Sequence, residues 1–446
     1  MLHILRPIVR FALWVFFRNT DIRGRERVPR NRPLIFVANH PNVMLDGLLL
    51  ATAVAGDVPR FLGKSTLFKN PLSALFLRSV GVIPVSRPQD SGSRMSRNEE
   101  MLLAASQVLA SGRSLALFPE GISHPARQVR ALKPGAARIA LRVEDEAEIG
   151  VQILPVGLTY SAPDTFRSEV SIHFGDPIDV RDFLSAYRDN HRQGALELTA
   201  LVHQRLVSLT WHVENPELET AIQDLAAIYT ESVARDIPDT AALSSRLGAD
   251  QELIQAVHHF SRTDPELVHS FAHRLRVHHR KLRRFSLDPR AVSTGMSGRL
   301  RHVCLGLLLA PLALYAFANN ALPYFLPRLF VRPFRQTREM IGTIKLSVGS
   351  LTFPLWYTTV AIVVYLLAGK VPALLYCLTA PLSGFFALWY LERVLARIPL
   401  WQSMVLPRRR NHYLKRLTDE RAALIRDLDE VKERYLASRT SATGEV

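Results

Sequence analysis

An α/β domain with a mixed sheet flanked by helices, then a helical region, then C-terminal transmembrane helices: this is the order that the 446-residue sequence predicts. Three observations predict it. From Asp21 to about Leu209 short apolar runs alternate with helical patterns, which places a sheet among helices. From Glu217 to about Arg284 the apolar spacing becomes helical. Further on, Leu346–Ala368 and Val371–Leu391 are each long enough for one bilayer crossing, which takes about 20 apolar residues. The expected boundaries are an interfacial helix over 1–20, the α/β domain over 21–210, a helical accessory region over 216–290, a membrane region over 300–395 and a helical tail over 402–446.

Each element has a local reason. Leu2–Phe17 is apolar with Arg6 and Arg10 interrupting, as in a helix lying at the headgroup layer; the competing reading docks it on the protein's own core. Pro33–Phe36 reads as a buried strand and Leu48–Ala53 as a helix. Phe61–Lys64 ends a strand, Leu72–Leu77 is a short helix and Val80–Val85 a strand. Asn98–Ala110 has helical periodicity and stops at Ser111-Gly112. Ser114–Phe118 and Ile153–Thr159 read as strands with the helix Gly135–Val143 between them, and Val170, Ile172 and Phe174 alternate as a half-buried strand. In the accessory region Leu218, Ile222, Leu225 and Tyr229 share a helical face, and His273–Arg284 is a dense basic run of the juxtamembrane kind.

In the membrane region, 303–327 is re-entrant or spanning, and 346–391 is a tight hairpin turning at Gly369-Lys370. Arginines lie on both sides of these segments, at Arg299 and Arg301, at Arg328, Arg332, Arg335 and Arg338, and at Arg393, Arg397 and Arg408–Arg410. If positive residues stay cytoplasmic, the number of crossings is even. A hairpin plus a re-entrant segment turning at Asn319-Asn320 meets that condition. The tail carries apolar residues at helical spacing over Leu414–Leu436, which suits a helix, with a coiled-coil partner as an option.

The formal net charge is +16 and the sequence pI near 10.3, so the chain wants an acidic partner. The long apolar runs favour an anionic membrane. No aromatic-basic interleaving suited to base stacking accompanies the arginines, which argues against nucleic acid. Cys304 and Cys377 both lie in apolar segments and read as packing residues, with no disulfide framework. No spacing of metal ligands is expected: His258-His259 and His278-His279 are adjacent pairs, which do not converge on one ion.

The stretch Val37–Leu45, closed by Asp46, organises the chemistry. His40 sits at a strand-to-helix junction, and a neutral His beside a carboxylate is a common general base for a hydroxyl. Six positions put His40 and Asp46 about 240° apart on an ideal helix, so they meet only if His40 lies on a loop and the helix starts near Pro41-Asn42. A structural histidine would look the same in isolation. Three later stretches decide between the two: Gly81–Arg87, a strand ending in a cation; Leu115–Gly121, a strand ending in an acid and a glycine turn; and Ile153–Thr159.

In this order the four stretches resemble the four sequence blocks of the glycerolipid acyltransferases, which acylate glycerol 3-phosphate and lysophosphatidic acid. The resemblance covers roughly residues 25–180. It implies that His40 deprotonates the acceptor hydroxyl and that Asp46 orients and charges the imidazole. It implies that Arg87 contacts the acceptor phosphate, with Lys64 as a second contact, and that Glu120, Gly121 and Ser123 shape the acceptor pocket. It implies acyl-CoA or acyl carrier protein as donor, a glycerol-phosphate or lysophospholipid acceptor, no metal and no cofactor beyond acyl-CoA as co-substrate. The apolar runs and the arginines flanking them give the expectation of a multi-pass membrane protein with its catalytic domain on the cytoplasmic side. Two departures stand out. Five residues separate His40 from Asp46 where many members have four, which resembles the branch of yeast-type glycerol 3-phosphate/dihydroxyacetone phosphate acyltransferases. After Gly121 the chain reads Ile122-Ser123-His124 where many members have Thr-Arg, so Arg127 or Lys133 is left to supply the cation, and His124 reads as a pocket-lining hydrogen-bonder. A non-catalytic membrane scaffold is the alternative from a different class.

Overall fold

The computed structural model describes residues 2–30, 32–79, 81–85, 94–213, 222, 255–257, 259–284, 296–334, 337–394 and 408–443. It divides into two compact units, Met1–His212 with Val331–Leu346, and Val213–Phe330 with Ser347–Val446.

In the first unit an eight-stranded sheet runs β1 (Asn19–Arg23), β7 (Glu169–Phe174), β6 (Gln152–Tyr160), β2 (Leu34–Ala38), β5 (Leu115–Leu117), β3 (Arg60–Lys64), β4 (Val82–Val85), with β8 (Ile178–Asp179) paired to β6. The pairs from β6 through β2, β5 and β3 to β4 are parallel, while β7 and β8 run antiparallel to β6. The sheet is therefore mixed.

The period-2 alternation of β2 divides the core. Leu34, Phe36 and Ala38 face a cluster with Leu13 and Phe16 of α1 (Leu2–Phe16) and Leu45, Leu49 and Leu50 of α2 (Val43–Ala53). Ile35 and Val37 face the opposite cluster, with α4 (Arg94–Ala110), α5 (Gly135–Ala147) and α7 (His191–Leu209) supplying Leu109, Ile139 and Leu198. Along the chain α3 (Pro71–Ser79) falls between α2 and α4, and α6 (Leu184–Asp189) between α5 and α7. Strand β1, unanticipated from sequence, extends the sheet beside β7. The N-terminal helix docks on the core by one face and leaves another face open. Leu13, Phe16 and Phe17 are buried in the core, while Ile8, Phe11 and Trp14, three apart, are 57–62% exposed.

In the second unit α8 (Pro265–Arg284) pairs with the tail helix α12 (Arg408–Thr443) through Arg274 to Asp427 at 2.6 Å and Lys281 to Glu420 at 2.8 Å. The tail thus has a partner within its own chain. The shared face expected for Leu218, Leu225 and Tyr229 lies outside the described residues.

Among the described residues three helices are long and apolar enough to cross a membrane by length and composition: Cys304–Val331, within α9 (Met296–Val331), α10 (Arg338–Ala368) and α11 (Lys370–Arg393). Only Gly369, at φ +86°, lies between α10 and α11. Cys304 and Cys377, expected to be packed inside, are exposed free thiols.

The turn expected at Asn319-Asn320 is corrected: α9 runs through both residues as helix. Prolines account for the polar contacts there. Pro323 and Pro327 have no N–H to give, which frees the carbonyls four residues earlier. The Asn319 carbonyl accepts Trp356 Nε1–H at 2.8 Å, and the Pro323 carbonyl accepts Thr352 Oγ1–H at 3.4 Å. The Asn319 and Asn320 amides both donate to Ser383 Oγ, at 3.0 and 2.9 Å, and their oxygens accept from Tyr376 and Tyr357. The neighbours of α9 also reverse their order along the hairpin. Gly306 meets Tyr390, Asn320 meets Ser383 and Tyr357 closer to the Gly369 turn, and Pro323 meets Thr352 farther from it.

Candidate active site

The parallel strands β2, β3, β5 and β6 deliver their C-terminal ends to one edge of the sheet, where α/β folds gather functional side chains. His40 follows β2, Lys64 ends β3, Glu120 follows β5 and Tyr160 ends β6. Because Ala38 pairs with Val156, β6 continues past the end of β2 and carries Tyr160 toward the His40 loop.

Helix α2 begins at Val43 with Asn42 as its N-cap, rather than at Pro41-Asn42 or Leu48, so Asp46 falls in its first turn while His40 stays on the loop. That geometry lets two residues six apart meet: His40 Nδ1 lies 2.8 Å from Asp46 Oδ2. The Asp46 side chain is fully buried, whereas the His40 side chain is 15% exposed. Asp46 Oδ2 also accepts the Asn42 N–H at 2.7 Å, and Oδ1 accepts the Tyr160 hydroxyl. Burial pushes the Asp46 carboxyl above its ordinary range, and the bonds from His40, Tyr160 and the Asn42 amide oppose that push. Burial and the neighbouring Asp46 charge hold the Tyr160 phenol well above its usual value. An ionised Asp46 only accepts hydrogen bonds, so it selects the His40 tautomer protonated at Nδ1 and leaves the Nε2 lone pair free.

The ring is fixed from the side as well. It stacks on Phe118 at 4.1 Å between centroids and 13° between planes, and Phe118 stacks in turn on Phe61. The backbone is held by a second acid. Glu120 Oε1 accepts the His40 N–H at 3.2 Å, Glu120 Oε2 bonds His124 Nε2, and the His124 N–H donates to the His40 carbonyl at 3.0 Å. Both Glu120 and His124 are buried, and His124 Nδ1 has no hydrogen-bond partner. Asn39 stands in for a strand neighbour, giving its amide to the Leu158 carbonyl at 2.9 Å and accepting the Leu158 N–H at 2.7 Å.

Gly121 has φ +76°, which a side chain would strain, and the space its Cβ would enter is taken by Lys133 Nζ, 2.6 Å away. Lys133 therefore reaches the loop after β5. Arg127 points elsewhere: its guanidinium lies 4.4 Å from the Trp211 ring centre and donates to the Ser161 carbonyl. Ser123 is half-buried on the same loop. Arg87 lies outside the described residues, and Lys64 is placed by its strand.

Sequence reasoning missed Asn39, Tyr160 and the stacking role of Phe118. Their one common signal is position, since each lies at the C-terminal end of a strand. It also missed Thr343, whose hydroxyl accepts the Met44 N–H at 3.3 Å.

Residues 19–159 match the family model described as Acyltransferase. An uncharacterized acyltransferase of Schizosaccharomyces pombe is 25% identical, over 70% of this chain and 59% of its own length. Glycerol-3-phosphate O-acyltransferase 1 of Saccharomyces cerevisiae is 23% identical over 57% of this chain and 44% of its own. A 1-acyl-sn-glycerol-3-phosphate acyltransferase of Streptococcus pneumoniae is 30% identical over 40% of this chain and 62% of its own. In each case the matched region is less than two thirds of the relative. The matched region, residues 19–159, holds the His40–Asp46 pair and is similar to the acyltransferase domains of glycerolipid acyltransferases.

Proposed function

We propose that this protein transfers a fatty acyl group from acyl-CoA to the hydroxyl of a glycerol-phosphate acceptor, glycerol 3-phosphate or dihydroxyacetone phosphate, in phospholipid biosynthesis. The observation that carries this is the contact between a partly exposed His40 and a fully buried Asp46. His40 Nε2 takes the acceptor's O–H proton as the hydroxyl oxygen bonds to the thioester carbonyl carbon. The C–S bond then breaks, and the imidazolium returns the proton to the leaving thiolate. Asp46 keeps the tautomer and stabilises the imidazolium. Glu120 serves chiefly to hold the His40 backbone, since both its oxygens are engaged. Phosphate is assigned to Arg87 and Lys64 through the family resemblance, and to Lys133 because its ammonium crosses Gly121 beside Glu120. No cofactor takes part.

Lysophosphatidic acid or another lysophospholipid is the alternative acceptor, supported by the activity for which the pneumococcal relative is named. Acyl carrier protein is the alternative donor. The test uses membranes from cells expressing wild type, His40→Ala or Lys133→Gln. Each acceptor is offered separately with acyl-CoA, and CoA release is followed. His40→Ala abolishes release; Lys133→Gln raises the acceptor KM about tenfold, the loss of one charge-assisted contact. Release that persists in His40→Ala removes the base from His40.

The catalytic domain faces the cytoplasm in this reading. Val331–Leu346 belongs to the same unit as His40, so the end of α9 and the start of α10 lie on the catalytic side. With α10 and α11 crossing and returning, the end of α11 lies on that side too. The arginines flanking the apolar segments support this.

A further inference from the structure

Helix α2 carries Asp46 in its first turn, yet its N-cap residue does not cap it with its own side chain. An uncapped first turn leaves N–H groups without partners. Here the missing acceptor comes from about three hundred residues away. Thr343, in the first turns of α10, accepts the Met44 N–H at 3.3 Å and donates its hydroxyl proton to Asn42 Oδ1 at 3.2 Å. The Asn42 side chain is thereby turned from the cap position and spans two elements, its amide donating to the Pro163 carbonyl at 2.8 Å. Asn42 is fully buried, and its backbone N–H is one of the donors holding Asp46.

Gly342 explains how α10 comes this close. A Cβ there would stand 2.6 Å from the Pro163 carbonyl oxygen and 2.8 Å from both Asn42 Nδ2 and Leu45 Cδ1. Its other anchors lie on the neighbouring loop. Arg338 reaches the Asp164 carboxylate at 3.3 Å, Lys345 donates to the Asp164 carbonyl at 2.5 Å, and Leu346 is buried in the core beside α2. The same helix continues to Ala368 as a candidate membrane span.

We infer that the head of α10, through Thr343 and Gly342, positions the His40–Asp46 pair, so that the active site is complete only when this membrane-proximal segment is seated on it. Thr343 is a positioning residue. It acts through Asn42 on the turn that presents Asp46, and Asp46 in turn sets the His40 ring. The inference rests on the His40–Asp46 reading proposed above and extends it to a segment outside the matched family region, residues 19–159.

The experiment uses the full chain in membranes, with Thr343→Val, which keeps the shape and removes the hydroxyl, and Thr343→Ser, which keeps the hydroxyl. CoA release is measured over a range of acceptor concentrations. Thr343→Val lowers kcat by roughly tenfold, the rate equivalent of two neutral hydrogen bonds, with acceptor KM unchanged, and Thr343→Ser stays near wild type. Equal losses in the two variants, a wild-type kcat in Thr343→Val, or a change confined to KM would each overturn the inference. Should Thr343→Val fail to accumulate, the cycle of Asn42→Ala, Thr343→Ala and the double variant decides. A double variant no slower than Asn42→Ala supports the positioning route, and multiplying losses overturn it. His40→Ala separates the two levels. If it leaves release intact, the functional reading fails. If it abolishes release while Thr343→Val matches wild type, only the inference fails.

Discussion

Tyr160→Phe removes one oxygen atom and tests how a buried acid is kept charged beside His40. In the folded protein the Tyr160 hydroxyl donates to Asp46 Oδ1, while Oδ2 takes both His40 Nδ1 and the Asn42 N–H. Tyr160 is 4% exposed and Asp46 is fully buried, so water does not replace the lost donor readily. A hydrogen bond to a charged group contributes about 1.5–3 kcal/mol, which is about ten- to a hundredfold in the balance between ionised and protonated Asp46. Burial already pushes this carboxyl up, and removing an opposing donor pushes it further the same way. Only the ionised acid selects the Nδ1-protonated tautomer, so the loss falls on the acid side of the rate profile. The assay is CoA release from membranes between pH 5 and 9 with the preferred acceptor. The acid limb of kcat/KM moves to higher pH in Tyr160→Phe, and the alkaline plateau recovers most of the wild-type rate. Acid limbs that coincide, with an equal loss at every pH, would refute the coupling and reduce Tyr160 to a packing residue.

Two further outcomes follow from the same geometry. In the unfolded chain an aspartate titrates near its ordinary value of about 3.9, whereas burial raises Asp46 in the fold, so its stabilising contribution is complete below the unfolded value and is lost as pH rises through the folded one. The Asp46→Asn protein therefore gains in melting temperature relative to wild type from acid to neutral pH while losing CoA release; a difference that stays flat or shrinks contradicts the sign. An accessibility tag at the end of α12 reports the same side of the membrane as one near His40, and labelling from opposite sides would sink the even-crossing topology.

The fold was legible where the pattern is local. The alternation in β2 and the unbroken apolar runs of β6 and the hairpin place those elements, because buried faces demand apolar residues at fixed periods. Strand β1 was not visible: Asn19–Arg23 is mostly polar and owes its extended form to pairing with β7. The start of α2 was blurred because Asn42 looks like an ordinary cap while its side chain bonds Pro163 and Thr343. At the candidate site, the residues assigned to the proposed chemistry sit in short blocks, and His40, Asp46 and Glu120 stand out there. Residues that hold those blocks do not. Tyr160 reads as one more apolar strand residue until the register of β6 against β2 carries it beside Asp46, and Thr343 carries no signal because its partners lie three hundred positions earlier.

Two buried carboxylates divide the task of fixing one histidine. Asp46 holds the ring through Nδ1, and Glu120 holds the backbone through the N–H, while the carbonyl of the same residue accepts the His124 N–H. The Phe118 face settles the remaining rotation. A residue held at ring, amide, carbonyl and face has little freedom left to lose when the substrate arrives, and that is the condition under which a preorganised base lowers a barrier. The arrangement also explains why both acids are buried. An exposed carboxylate would hold His40 through a bond that water weakens, whereas burial strengthens the bond and is tolerated because each oxygen has a donor. For Asp46 those donors come from the His40 loop, the Asn42 turn and the end of β6, and the Asn42 turn is itself held by Thr343. The chain thus brings distant segments together around one charge, and Nε2, the nitrogen facing away from Asp46, is left for the acceptor in the proposed reaction.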